Sequence, residues 1–171
     1  MTNFLAIAHL DPFELVCSLR TRMGLFRRDD LGPGTCPVRI PKDGEHGKWI
    51  AKQAKWVELT NYIQRIRRLA DVELGRIDLL YLPPGGQAPW WEALGEYADA
   101  YEHAVVMLRT SPAFALFAGP EVWMPAIGLL TVVSRKVPRS AINMGDSPAI
   151  WLAVDFRRKI SATTSEGSEG A

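Results

Sequence analysis

Few side chains in this 171-residue sequence are equipped for chemistry, and their types and spacing restrict what that chemistry is. The three histidines, His9, His46 and His103, stand far apart with no second imidazole near any of them. No paired-histidine metal site is expected at His9 or His46. Cys17 and Cys36 form neither a CxxC pair nor a Cys/His cluster, so two reduced thiols are expected. What remains is Trp90-Trp91-Glu92, Tyr101-Glu102-His103 and the isolated Arg139. Glu92 and His103 offer a carboxylate and an imidazole, the usual proton-transfer or metal-ligand groups. Arg139 carries a permanent fork of donors that suits an anion and repels a metal. Arg65, Arg67 and Arg68 lie beside an apolar helical stripe and are expected to form a solvated face.

Two stretches hold these residues in a recognisable order. Ile77-Asp78-Leu79-Leu80-Tyr81-Leu82 is an apolar strand, ended by the turn Pro83-Pro84-Gly85-Gly86 ahead of Trp90, Trp91 and Glu92. Gly128 to Val133 is a second apolar run; Arg139, Ser140, Ala141, Asn143, Gly145 and Asp146 then lead into a strand from Ala149 through Asp155 to Arg158. This order resembles the aspartyl/asparaginyl β-hydroxylase family of iron(II)/2-oxoglutarate dioxygenases, well over residues 77–158 and loosely before them. The resemblance implies a double-stranded β-helix, the cupin-like jelly roll. It also implies that Trp90 and Arg139 occupy the two metal-histidine positions, with Glu92 as the nearby carboxylate. An indole N–H has no lone pair for a metal, and a guanidinium repels one. By the same resemblance Tyr101 and His103 match an Arg-x-His element, and Ala149 stands where the arginine for the 2-oxoglutarate carboxylate belongs.

The elements that must position these groups are read from periodicity. Asn3 to Leu10 is a strand candidate, and Asp11-Pro12 opens a helix from about Phe13 to Met23 with Phe13, Val16, Cys17 and Arg20 at helical spacing. Asp29 to Gly47 is expected to be irregular apart from a short strand at Cys36 to Ile40. Trp56 to Leu74 is expected to be a helix whose apolar face carries Trp56, Leu59, Ile63, Ile66, Leu69 and Ala70. Short apolar runs at 77–82, 103–109, 113–118, 121–124, 128–133 and 149–156 then indicate a sandwich or barrel. The fold class is therefore α+β, mainly β: a jelly roll with N-terminal helices packed on it. Residues 1–160 are expected to form one domain and 161–171 a disordered tail.

A formal net charge of +1 supplies no field for nucleic acid or a membrane surface. No apolar run reaches the roughly 18 residues that span a bilayer, and the N-terminus has no basic leader, so a cytoplasmic protein is expected. With both metal histidines and both arginines replaced, neither metal nor cofactor is expected. The leading expectation is a non-catalytic oxygenase-like domain serving as a binding or structural module, phage or assembly-related, with a protein partner. Trp90 then reads as a plug in the emptied metal site, His103 as a packing residue, and Arg139 as the partner of Glu92. Two alternatives stand: a dioxygenase with displaced ligands such as Glu92 and His103, or a small-anion binding protein using Trp90, His103 and Arg139.

Overall fold

The computed structural model describes residues 2–26, 34–42, 45–91 and 100–158. Strands β1 (Phe4–His9), β2 (Gly34–Lys42), β3 (Glu45–Trp49), β4 (Val72–Leu82), β6 (Glu102–Arg109), β9 (Leu129–Val133) and β11 (Ala149–Arg158) form one sheet in the order β1-β9-β6-β11-β4-β2-β3. A second sheet holds β5 (Gln87–Trp91), β7 (Phe114–Ala118), β8 (Glu121–Trp123) and β10 (Arg139–Asn143) in the order β5-β10-β7-β8. From β4 onward the chain passes back and forth between the sheets. That winding is the double-stranded β-helix.

Period-2 alternation builds two cores on the faces of one sheet. On β11, Ile150, Leu152, Val154 and Phe156 face the helices, while Ala149, Trp151 and Ala153 face the barrel interior. The helical layer consists of α1 (Phe13–Leu19), a short 3-10 turn (Met23–Leu25), α2 (Ala51–Ala54) and α3 (Val57–Ala70). Helix α3 buries Leu59, Tyr62, Ile63 and Ile66, each contributing about 2 kcal/mol of apolar transfer. Its Arg65, Arg67 and Arg68 are exposed as expected. Helix α1 is tied to this layer by the Trp56 indole N–H, which donates to Ser18 Oγ at 2.8 Å. The Tyr62 hydroxyl fixes the exit of β1 by donating to the Leu10 carbonyl at 3.1 Å.

Several boundaries differ from the sequence reading. Helix α3 ends at Asp71, which takes a left-handed φ of 44° and donates its N–H to Arg67, and β4 begins at once at Val72. Leu69, placed on the apolar face by its spacing, is exposed, while Ala70 beside it packs against the core. Helix α1 turns Leu15 and Leu19 inward and leaves Phe13 exposed. The short strand expected at Cys36 to Ile40 lies within β2, and the residues after it, expected to be irregular, enter β3, which forms a hairpin with β2. Strands β5 and β10 were not among the apolar runs, since Gln87 and Pro89 interrupt the first and Arg139, Ser140 and Asn143 the second.

Candidate functional site

The Pro83–Gly86 turn and the Ser140–Gly145 stretch build the scaffold. Pro83 to Gly86 is a tight turn in which Gly86 N–H bonds the Pro83 carbonyl at 3.0 Å, and Gly85 takes the positive φ of 70° that favours glycine. Asn143 on β10 is fully buried and holds this turn from the opposite sheet. Its amide nitrogen donates to the Leu82, Pro83 and Ser147 carbonyls at 3.1, 3.1 and 2.9 Å. Its amide oxygen accepts from Ser111 Oγ at 2.7 Å and from Gly145 N–H at 3.2 Å. Ser140 Oγ donates to the Ala88 carbonyl at 2.7 Å, locking β10 to β5. Ser140, Asn143 and Gly145 thus serve positioning, with no donor or acceptor left over at Asn143.

The paired strands stack the interior in layers. At the closed end Leu82 lies opposite Ala149; next come Leu80, Trp151 and Met107; then Asp78, Ala153, Val105 and Thr131; then His103, with Asp155 and Val133 on its two sides. The first layers are apolar, with the Phe114 and Trp151 rings 5.4 Å apart. The last two are polar. Across from them on the small sheet, Arg139 pairs in register with Trp91 on one side and Ala118 on the other.

At this mouth Asp155 Oδ1 receives His103 Nδ1 at 2.8 Å and Arg135 Nη2 at 2.5 Å. Burial alone would raise the Asp155 pKa, yet His103 and Arg135 together hold it below the usual carboxylate range. Burial pushes His103 down, and the nearby Arg139 and Arg135 charges add to that. A neutral imidazole donating from Nδ1 to Asp155 leaves Nε2 as the ring's acceptor. No described residue bonds Nε2. Arg139 is only 4% exposed; burial, with Arg135 beside it, moves its pKa down to about 10, so it stays charged at neutral pH. Among the described residues its Nε and Nη1 are buried without a hydrogen-bond partner, and its guanidinium lies 5.7 Å from the Trp91 ring. Asp78 Oδ2 accepts from Arg76 Nε at 2.6 Å, while among the described residues its Oδ1 and Thr131 Oγ1 are buried without a partner.

Of the residues singled out in the sequence, His103 and Arg139 come together at the mouth. Ala149 is buried at the closed end. Tyr101 stands near Arg157, whose guanidinium is 5.6 Å from its ring. Trp90 does not plug the barrel: its ring is 54% exposed and packs edge-on against Phe117 on the outer face of the small sheet. Alternation along β5, with a register shift against β10, turns Trp91 inward instead. Glu92, and with it the expected pair with Arg139, lies outside the described residues, as does the expected tail at 161–171. His103 is a largely buried side chain satisfied at Nδ1 by Asp155, as a core or edge histidine is expected to be. Asp78, Thr131, Arg135 and Asp155 were not identified as site residues; the only signal for Asp78 and Asp155 is a carboxylate on an inward-facing strand position. Among the described residues no three His, Cys, Asp or Glu side chains form a group that could hold a metal ion, and the guanidinium groups of Arg135 and Arg139 lie close to His103 and Asp155. That donor set does not fit a divalent metal.

Solved structures of similar shape include an oxidoreductase of the 2OG-Fe(II) oxygenase family from Burkholderia pseudomallei. It matches with TM-score 0.66 at 13% identity, over 94% of this chain and 87% of that one. The non-heme alpha-ketoglutarate-dependent epimerase SnoN from nogalamycin biosynthesis gives 0.64 at 12% identity, covering 91% and 78%. A prolyl-4-hydroxylase from Pseudomonas putida gives 0.53 at 18% identity, covering 92% and 94%. No family model and no curated protein matches the sequence. At these identities the likeness shows a shared fold, and chemistry has to be argued from the site.

Proposed function

We propose that this chain is an aspartyl/asparaginyl β-hydroxylase-like domain whose metal position has become an anion-binding site, and that it works by binding a small organic anion. The observation that carries this reading is Arg139: a guanidinium almost wholly buried in the barrel with two donors unpartnered. Such a group is costly unless something accepts its hydrogen bonds. Asp155 offsets one of the two arginine charges at the mouth and is already engaged by Arg135 and His103. Arg139 is the charge in excess, and a carboxylate matches its fork in geometry and sign.

The test is a thermal-shift and calorimetric screen of the full chain with dicarboxylates, repeated for Arg139→Met. Stabilisation that grows with ligand concentration and disappears in the variant is expected. Stoichiometric iron binding with turnover of 2-oxoglutarate would instead establish the dioxygenase reading, with ligands other than the mouth residues described above.

A further inference from the structure

We propose that two copies of this chain associate by stacking the outer faces of their small sheets, with Trp90, Phe117, Val122 and Ile142 of each at the centre of the contact. The register of the sheet defines that face. On β10, Ala141 belongs to the barrel core, so Ser140 and Ile142 on either side of it point outward. On β7, Phe114, Leu116 and Ala118 point inward and leave Ala115 and Phe117 outside. The outward residues meet across the strands: Ile142 lies opposite Ala115, Ser140 opposite Phe117, and Phe117 opposite Val122 of β8. From β5 the Trp90 ring reaches Phe117 edge-on at 6.0 Å. Met144 and Met124 continue this face past the ends of β10 and β8, because Asn143 and Trp123 before them turn inward.

An antiparallel sheet with one face in water normally carries polar side chains there. None of the outward residues named above is charged, and Ser140 is buried with its hydroxyl already given to the Ala88 carbonyl. Trp90 is 54% exposed, Val122 60%, Met124 72% and Met144 74%, so large apolar groups lie open together on one face. The large sheet, by contrast, has the helical layer on one side and the barrel core on the other. Charge and area select a second copy as the occupant. A face without charge is complementary to another without charge, which this chain itself carries, and a formal net charge of +1 sets almost no repulsion between two copies. A two-fold axis through the patch makes it its own complement, with the sheets about 10 Å apart and the flexible methionines filling gaps at the ends. Four strands about 4.8 Å apart, with outward positions about 7 Å apart along each, give a face on the order of 300 Å². That is below the roughly 800 Å² per partner of a stable complex, so the dimer is a weak one that forms as concentration rises.

The experiment is sedimentation velocity of the full chain from about 1 µM to about 500 µM, the range in which so small an interface responds. The weight-average mass is expected to climb from 19.0 kDa toward twice that value. Val122→Lys combined with Met144→Lys should weaken association about tenfold or more, by setting ammonium groups against one another across the axis. Val57→Lys, at an exposed apolar position on α3, should leave it unchanged. A species of 19.0 kDa at every concentration overturns the proposal, and co-sedimentation of that monomer with phosphatidylcholine vesicles would give the face to a lipid surface instead. Association that survives the double variant, or that Val57→Lys disrupts equally, puts the contact elsewhere and overturns it as well. Should the double variant fail to fold by circular dichroism, Met144→Lys alone, just past the end of β10, takes its place, and an unchanged dimer there has the same meaning.

Discussion

Arg139 sets function against stability at the scale of one residue. A buried cation with two unpartnered donors destabilises the empty barrel, so Arg139→Met, which keeps the volume and removes the charge, is expected to stabilise the protein by about 1 kcal/mol or more. Urea denaturation in ligand-free buffer measures this, and a loss of stability would mean that Arg139 is held by a partner. His103 gives a second residue-scale expectation. Its folded pKa lies below 6.5, so between the two values the unfolded chain carries a proton that the folded chain lacks. Stability is therefore whole above about 6.5 and falls as the pH drops below it. Asp155, held below 3.8, loses its contribution only at lower pH, so the two effects separate. Urea midpoints between about pH 7.5 and pH 5 should show the first slope, and His103→Gln should flatten it; an unchanged slope in the variant would assign it to other groups.

The turn after β10 shows how an element is held rather than what it catalyses. A Cβ at Gly145 would run into the Ser111 side chain, and Asn143 supplies all the hydrogen bonds that join this turn to the Pro83–Gly86 turn. Gly145→Ala is expected to cost about 1–3 kcal/mol by overpacking. Asn143→Ala should cost about 3 kcal/mol or more, by stranding the Ser111 hydroxyl and three carbonyls. Chemical denaturation of each variant checks both values, and near-neutral results would show that the turns can separate. The Pro83–Gly86 turn was legible from its prolines and glycines, and Asn143 and Gly145 through the family resemblance, whereas Ser111 carried no signal. Strands rich in β-branched and aromatic residues were legible from those residue types. Trp90 and Trp91 were not, since two adjacent indoles carry no sign of which faces inward until the register shift between β5 and β10 is known. Strand β3 was hidden by its glycine and charged residues, and the His103–Asp155–Arg135 cluster by the separation of 52 positions between its first two members.

Across the whole molecule, β11 belongs to both cores. Leu152 packs toward the helices and Trp151 into the barrel, so the two layers should unfold together. Leu152→Ala and Trp151→Ala are each expected to lower stability by about 2–5 kcal/mol while far-ultraviolet circular dichroism and tryptophan fluorescence continue to report one shared midpoint. Two separated transitions would show that the helical layer and the barrel are independent. The position of β11 also has a consequence for the order in which the protein is made. It lies between β4 and β6 in the sheet yet follows both in the chain, as the last strand to join. A ribosome adding roughly 5–20 residues per second reaches β11 on the order of several seconds after completing β4. Through that interval Leu79 and Val106, both buried in the finished fold, belong to strands whose shared neighbour has not yet been synthesised. The nascent chain therefore passes through an interval in which the edges of β4 and β6 that β11 will cover lack that neighbour, the kind of edge that templates pairing with another chain.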